Sequence, residues 1–596
     1  KYIRKASSLL AVAMLSMMVV VACGKTEIVE VIKEVPVEVL KIEQVIVEKE
    51  VPVEVQTIKE VVVEKEVEVE RIIEVTKIVT ESVPQPVGYM MIAPENVTNT
   101  GGTLKTAFGV TMGHFDAAQG TGTHVLGHAY DGLHVKNIAD GLRTFAPLLA
   151  TEWDIASDGK TYTFTIREGV QFHDGTDLTV DDVVASFSRM ALPQDGFVSP
   201  NASFYDVVTS IEAKGNKVVF SLSEPRTWLL EVMSGTSHLV YSKAQIDAND
   251  NNLKKVEIPT GTGPFKFNDH MPAEKWVFDK NENYWSPTTP YIDRLEMLHV
   301  PAWTDRGTAV LTGQADFSWN ISMETHNEAN KRNDVTSLKI PGFGAYNANF
   351  NNAKAPFDDA RVRKAIFLTV SKQGLHAAFS RNEPMKLTGW MSYAAEGATS
   401  IEDLGKLPGY REDKTEDIAA AKKLMAAAGF PDGFGPIDLV VSSVPPHSEI
   451  LAPFFADELE KIGITSKIRV IERSQLGQNA LAGEYDIQVT TAFGSPTQDP
   501  TPMWMQRLTC DGSQNQVHYC NPEFDKMVAT LNVTSDAGAR ADLFAKAKAF
   551  LDEENPLYTI GFTNHLPAWR NYVKGMAMEQ RSHTHWGELT TVWLDR

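Results

Sequence analysis

Cysteine is scarce in this chain: three residues in 596, at positions 23, 510 and 520. A zinc site needs further Cys or His at ligand spacing, and near the 510/520 pair only His518 is available, so structural zinc is disfavoured there. Positive charge is also in short supply. Lys and Arg number 56 against 77 Asp and Glu, a formal net charge of −21. That balance argues against a nucleic-acid partner, because phosphate contacts need Lys and Arg clusters. The longest apolar run, "LLAVAMLSMMVVVA" at residues 9–22, is too short to span the roughly 30 Å hydrocarbon core comfortably. The body carries no Gly-rich phosphate loop, no G-x-S-x-G elbow and no H-E-x-x-H pair, the arrangements that nucleotide, acyl-transfer and zinc-hydrolase chemistry need. A chain of 596 residues is nonetheless too long for one ordinary core, so two or more lobes are expected.

What is present begins at the N-terminus. Lys1, Arg4 and Lys5 precede the apolar run, which ends at Cys23-Gly24. A basic region followed by a short apolar one is an export signal. Its end, Val20-Val21-Ala22-Cys23, resembles a bacterial lipobox, in which the cysteine becomes the lipidated first residue of the mature protein. Residues 1–22 are then the signal peptide, Cys23 is the lipidation site, and the body lies outside the cytoplasm, held to the cell membrane by lipid in the periplasm or on the outer face. In an oxidising compartment Cys510 and Cys520, bracketing the polar "DGSQNQVHY", are expected to pair as a disulfide. Closing so short a loop stabilises by roughly 2–3 kcal/mol on the chain-entropy account.

Residues 23–100 form a stalk and linker of Val, Ile, Glu and Lys with an internal repeat: "KEVPVEV" at 33–39 and again at 49–55, then "KEVEVER" at 65–71. The period is too short and too polar for a solenoid that packs a core. Ile28, Ile32, Val35, Val39, Ile42 and Ile46 step by four and three, as a coiled-coil seam would. Pro36 and Pro52 oppose a long helix, and the V-x-V alternation suits an extended chain equally well. The segment is expected to be a spacer, with coiled-coil association as one form of it. "SVPQPV" closes it as a semi-rigid linker.

The compact body opens near Gly101-Gly102. In "EWDIASDGKTYTFTIREG", Trp153 and Ile155 alternate, 157–160 supply a turn, and Tyr162, Phe164 and Ile166 alternate again, which predicts a β-hairpin with one buried face. The next stretch, "REGVQFHDGTDLTVDDV", groups His173 with Asp174, Asp177, Asp181 and Asp182. Gly169, Asp174-Gly175 and Asp177 are turn formers. Thr179 stands three residues before Asp182, an N-cap arrangement for a helix that puts Val180, Val183, Val184 and Phe187 on one face. Acids in its first turn suit the helix dipole. The cluster therefore predicts turns and caps in preference to a metal or catalytic site.

The whole run "LATEWDIASDGKTYTFTIREGVQFHDGTDLTVDDVVASFSR" is similar to the signature of the extracytoplasmic solute-binding proteins, family 5, the peptide/nickel-type receptors of ABC importers. "GTGPFKF" (261–267), "NENYWSPTTPYIDRLEM" (281–297), "FNNAKAPFDDARVRKAIFLTVSK" (350–372) and "AAAKKLMAAAGFPDGF" (419–434) follow in the family's order, and the match covers 102–596. The resemblance implies an α/β, type II periplasmic-binding-protein fold: two α/β lobes around a cleft plus the extra family 5 domain. Lobe I would comprise 102–133, 262–340 and 569–596, the extra domain 134–261, and lobe III 341–568. It also implies a receptor without catalysis or cofactor. Such a receptor captures a small solute, peptide-class or another organic compound, and passes it to ABC permease subunits.

Departures from the family pattern bear on the solute. Peptide-binding members place an Asp three residues before the (D/E)-P pair; here "TAFGSPTQDP" has Pro496 there, and Asp499 is expected to hold the loop. The loop after "IDLVVSSVPPHSE" has Pro445, Pro446 and His447 but no Arg for a peptide carboxylate. Trp319, Tyr346, Trp390, His447 and Phe493 are the candidate solute contacts, because in relatives their segments face the cleft and aromatic platforms suit sugars, aromatic compounds or flat chelates. His124 and His128, spaced i,i+4, could share a helical face, with His134 further on, and His583 and His585 form another pair; no third ligand is evident, so no metal site is assigned. The alternatives are a nickel- or metal-chelate-binding or oligosaccharide-binding member of the family, or a surface sensor or assembly protein not engaged in transport.

Overall fold

A computed structural model describes strands at 28–36, 58–66 and 69–79 and then residues 97–596, apart from 110–113, 121–122, 138–143, 195, 287–288, 380–384, 394, 396, 444–449, 473–474, 495–496, 498 and 577–588. The N-terminal repeats form one unit, 1–89, and the rest of the chain another. Within the first unit, Ile28–Pro36 and Ile58–Glu66 flank Val69–Val79 in a three-stranded antiparallel sheet. Where the repeats are described they are strands and not a coiled coil; Val39, Ile42 and Ile46 of the expected seam lie outside the described residues. Val and Ile are stiff at χ1 and fit a pleated surface better than a helix, and they alternate with Glu and Lys at the strand period. Cys23 lies outside the described residues.

The body is built on three larger sheets. The seven-stranded sheet runs, edge to edge, Phe265–Met271, Lys275–Lys280, Arg294–His299, Thr103–Phe108, Phe317–Ser318, Ala568–Arg570 and Val335–Ser337. It thus gathers strands from three distant parts of the chain. The four-stranded antiparallel sheet contains the expected hairpin, Ala150–Ile155 and Thr161–Ile166, with Trp153 opposite Phe164. Gly159 takes φ +67° in its turn, and Lys160 N donates to Asp158 Oδ1 at 2.9 Å. Tyr162, Phe164 and Ile166 are buried as their alternation predicts, whereas Ile155, at the turn end of the first strand, is 40% exposed.

The six-stranded sheet has the order Met385–Lys386, Leu557–His565, Ile340–Phe350, Ile487–Gly494, Phe434–Ser442 and Ile464–Ile471. Both faces of its central strands are covered, as in an α/β layer, while the edge strand Ile464–Ile471 is largely exposed. Helices Ala360–Thr369, Thr415–Ala427 and Ala452–Glu460 contribute to one core, in which Tyr346, Ala348 and Phe350 meet Val362, Ile366, Phe455 and Leu459. On the other side, Trp390, Trp504, Leu508, Phe524, Phe544 and Leu551 form a second core with helices Thr501–Leu508, Pro522–Val533 and Ala537–Glu554. Each side chain of this size stabilises by about 1.5–3 kcal/mol on burial. The loop between the first two of those helices is closed by the Cys510–Cys520 disulfide.

Two short segments join the sheets. The chain leaves the seven-stranded sheet at Ser337 and enters the six-stranded one at Ile340; it returns between His565 and Ala568. The crossings lie side by side: Leu338 N donates to Pro567 O at 3.1 Å, Ser337 Oγ to the same carbonyl at 2.9 Å, and Ile340 pairs with His565.

Candidate functional site

The double crossing joins the two sheets, and its polar groups are tied together. Leu566 N donates to Asn320 Oδ1 at 3.0 Å, and Ile321 N donates to Leu566 O at 3.0 Å. Asn320 Nδ2 lies 3.0 Å from His565 Nδ1. The same imidazole nitrogen lies 3.2 Å from Asn320 Oδ1, so the Asn320 amide meets His565 with both its nitrogen and its oxygen. Asn320 and His565 are 245 residues apart in sequence, so no local pattern announces them. Tyr393 Oη donates to Asn564 on the returning strand, Lys386 Nζ stands 4.7 Å over the Tyr393 ring, and burial raises the Tyr393 phenol to about 12.

Trp319 belongs to this region. It directly follows strand Phe317–Ser318, is nearly buried, and meets the Phe317 ring edge-on with centroids 4.5 Å apart. Tyr346 and Trp390 are placed differently. Tyr346 packs edge-on against Phe379, 5.1 Å away, on one face of the six-stranded sheet. Trp390 sits in the core of the opposite face, where its Nε1 donates to Asp552 Oδ1 at 2.9 Å. The structure does not bring these two rings together. Phe493 is in strand Ile487–Gly494 with its backbone opposite Ala345; its side chain, like His447, lies outside the described residues.

The loop that follows Phe493 is braced from within. Thr501 N and Oγ1 donate to Asp499 Oδ1 at 2.8 and 2.6 Å. Arg540 forms an ion pair with the other carboxylate oxygen while donating to Leu531 O and Thr534 O at 2.6 and 2.8 Å. An acid engaged on both oxygens by the protein's own groups holds a loop and is not available as an anchor.

The histidines considered as metal ligands are also accounted for where they are described. His128 is buried edge-on to Phe265, and burial pulls its pKa down to about 4. His134 is buried among Phe145, Trp153 and Phe164, with Nε2 2.7 Å from Leu230 O. The side chain of His124, and His583 and His585, lie outside the described residues. Among the described residues no group of three or more His, Cys, Asp or Glu could hold a metal ion.

The acidic stretch resolves into turns and caps. Thr176 N and Oγ1 donate to Asp174 Oδ1 at 3.0 and 2.7 Å, and Gln171 Nε2 donates to Asp177 at 3.2 Å. Asp182 accepts from Thr179 N and Oγ1, both at 2.7 Å, and from Lys243 N at 2.7 Å. His173 points Nε2 at Gly263 O, 3.0 Å away, and burial holds its pKa down to about 4.

Residues 144–514 match the model of the bacterial extracellular solute-binding proteins, family 5. The chain belongs to that family. It is 24% identical to the dipeptide-binding protein of Escherichia coli K12 over 476 residues, covering 76% of this chain and 87% of the relative. It is 26% identical to heme-binding protein A of Haemophilus influenzae over 468 residues, 73% of this chain and 82% of that one. The structure of an ABC transporter-associated periplasmic binding protein, DppA, from Helicobacter pylori in complex with the peptide STSA superposes with a TM-score of 0.73 at 24% identity, covering 84% of this chain and 99% of the other. The fold is therefore the two-lobed α/β fold of family 5. A family 5 solute-binding protein is a binding receptor and not an enzyme. It works outside the cytoplasm, and its partners are a small solute and the permease of an ABC transporter.

Proposed function

We propose that this family 5 protein is a lipid-anchored receptor that captures a small organic solute, peptide-class or otherwise, between its lobes and hands it to permease subunits. The observation that carries the reading is the pair of crossings at 337–340 and 565–568, braced by Asn320 and His565: two strands between two sheets make a hinge. Ligand that contacts a closed arrangement better than an open one shifts the population toward closure. We place lobe I at 102–133, 262–340 and 569–596, the extra domain at 134–261 and lobe III at 341–568, a division supported by the seven-stranded sheet drawing on 103–108, 265–337 and 568–570. In this reading Cys23 carries the lipid after removal of 1–22, and the β-rich repeats to residue 100 are the spacer. Trp319, His447 and Phe493 contact the solute, and Tyr346 and Trp390 support the lobe III wall from within.

The relatives are named for a dipeptide and for heme, so their names do not decide the solute. Mass spectrometry of the full chain isolated from membranes, first native and then denatured, tests both halves of the reading. A mass excess that disappears on denaturation is solute; one that stays, on the peptide containing Cys23, is lipid. If no solute is retained, a thermal-shift panel follows, in which a ligand at a hundred times its dissociation constant adds roughly 2.7 kcal/mol of stability. A chain with no bound mass and no stabilising compound would sink the receptor reading, and an unmodified Cys23 would sink the anchor.

A further inference from the structure

The segment 134–261, placed above as the extra domain, meets its two neighbours along seams of different build. Toward lobe I the chain itself runs through, at 133–134 and again at 261–262. The backbones are also bonded there: Leu148 N and Ala150 N donate to Leu133 O at 3.1 and 2.8 Å, and Val240 N donates to Asp131 O at 3.0 Å. A buried ion pair, Arg189 with Asp116 at 2.5 Å, crosses the same seam. Toward lobe III no chain runs through, and the contact is made mostly by side chains. Gln506 Nε2 donates to Pro200 O at 3.2 Å and to Ser203 Oγ at 3.1 Å, and Ser513 Oγ donates to Ser203 Oγ at 3.0 Å. Trp228 Nε1 donates to Asn532 Oδ1 at 2.8 Å, Thr227 N to Asn532 O at 3.0 Å, and Arg540 Nη1 to Thr227 Oγ1 at 3.0 Å.

The lobe III partners stand on three helices, Thr501–Leu508, Pro522–Val533 and Ala537–Glu554, and on the loop closed by the disulfide. Trp504, Leu531 and Phe544 pack those helices into one core, so the partners move together. Across the seam, Met505 touches that core and the core of the four-stranded sheet; a thioether on an unbranched chain adapts to shifts between the two. A contact between domains that rests on hydrogen bonds, without a large apolar surface, leaves relative motion as the default. Each donor and acceptor exchanges its partner for water on separation, so the net worth of each bond is modest. The Trp228 ring stays in the core of its own domain, and only its N–H changes partner. Arg540 also pairs with Asp499, so the seam ends on the loop that follows Phe493.

We propose that this seam is a latch: it makes and breaks as one unit when lobe III turns at the crossings 337–340 and 565–568, and its closed form favours the closed arrangement of the receptor. The inference rests on the reading of the chain as a solute receptor whose lobes close. The seam with lobe I, held by two chain crossings, backbone bonds and a buried ion pair, stays shut throughout.

The test is hydrogen exchange of the full chain, resolved at the Thr227 amide, whose acceptor is the Asn532 carbonyl across the seam. In the wild type this amide should exchange at least about tenfold faster than those of strand Thr161–Ile166 in the same domain, because the latch opens without unfolding it. N532A and Q506A should each speed it a further three- to tenfold or so, the range for losing a hydrogen bond, and leave the strand unchanged. N532A keeps the carbonyl that Thr227 N uses. Q506A decides between a unit and separate contacts, since the bonds it removes go to Pro200 and Ser203 while Thr227 keeps its own partners. Exchange at the strand's rate in the wild type would make the seam permanent and overturn the latch. So would a response to N532A without one to Q506A, or an equal speed-up in the strand. The wild-type comparison stands even if a variant does not fold. No solute enters these measurements, so an empty chain in the native mass spectrum counts against the receptor reading, and a failed exchange result counts against the latch alone.

Discussion

Two polar clusters of this protein invite opposite readings in sequence and in space. The stretch 167–183 gathers a histidine and four acids within ten residues and looks like a site. In space its carboxylates at 174, 177 and 182 accept from their own neighbours, and His173 is held neutral against a backbone carbonyl. The small cavity lined by Asn347, Asn349 and Arg507 shows nothing in sequence beyond "MQRL" and "YNANF". In space it leaves one buried amide oxygen, Asn347 Oδ1, without a partner. The difference teaches that a dense cluster of chemistry-bearing residues is not evidence for a ligand. What points to one is a polar group the fold has buried and not satisfied, because burial without a partner is unfavourable unless something else supplies it.

The comparison can be broken most severely with acid. His128, His134 and His173 are each held by burial at about 4 and His238 at about 3, against an ordinary value of 6.5. His134, His173 and His238 fall within 134–261, the proposed extra domain that also holds the acidic stretch, and His128 stands just before it. In the window from 6.5 down to about 4 the unfolded chain binds protons that the folded chain does not, so stability falls as pH falls. A shift of some 2.5 units corresponds to about 3 kcal/mol per histidine when fully expressed. Four together rival the roughly 5–15 kcal/mol stability of a typical domain. The urea midpoint should drop steeply between pH 6.5 and 4. A midpoint at pH 5 equal to that at pH 7 would show that these imidazoles are not buried as the structure has them.

The second comparison sets one substitution in each cluster against the other. Asp182→Ala removes the acceptor for two backbone N–H groups, Thr179 and Lys243. Each unsatisfied group costs about 1–3 kcal/mol, so a loss of about 3 kcal/mol by urea unfolding is expected. R507M should cost nothing measurable, because Arg507 has no ion-pair or hydrogen-bond partner among the described residues to lose. If both variants destabilise alike, Arg507 has a structural partner and the contrast between the clusters disappears.

Much of this was legible in the sequence for a physical reason: it is local. The 150–166 hairpin, the Thr179 cap and the loop between Cys510 and Cys520 are set by residues within about ten positions of one another, and the family resemblance rests on blocks of the same kind. The repeats were ambiguous because 4-3 spacing and alternation coexist in "KEVPVEV", and β-branching decides between them only weakly. The hinge bonds of Asn320 join residues 245 positions apart. The burial of Tyr346 and Trp390 on opposite faces of one sheet depends on which helices cover each side. Arg507 was the hardest to see, since the lack of a partner is a property of the whole surrounding shell and no spacing encodes it.

The smallest expected effect is at Asp174, and it tests whether the acidic stretch retains any ligand role. Asp174 is exposed, and its Oδ1 accepts from Thr176 N and Oγ1. Asp174→Asn keeps an oxygen in the same place and so keeps the turn, and exposed changes of this kind usually move stability by less than about 0.5 kcal/mol. A metal site would respond differently, because an amide oxygen lacks the charge that a carboxylate gives a divalent ion. Adding nickel or zinc should therefore leave the thermal midpoints of wild type and D174N equally unmoved. A metal-dependent rise in the wild-type midpoint that D174N loses would make His173 and Asp174 ligands. The rule that satisfied clusters are structural would then fail in this protein at the place where it looks most secure.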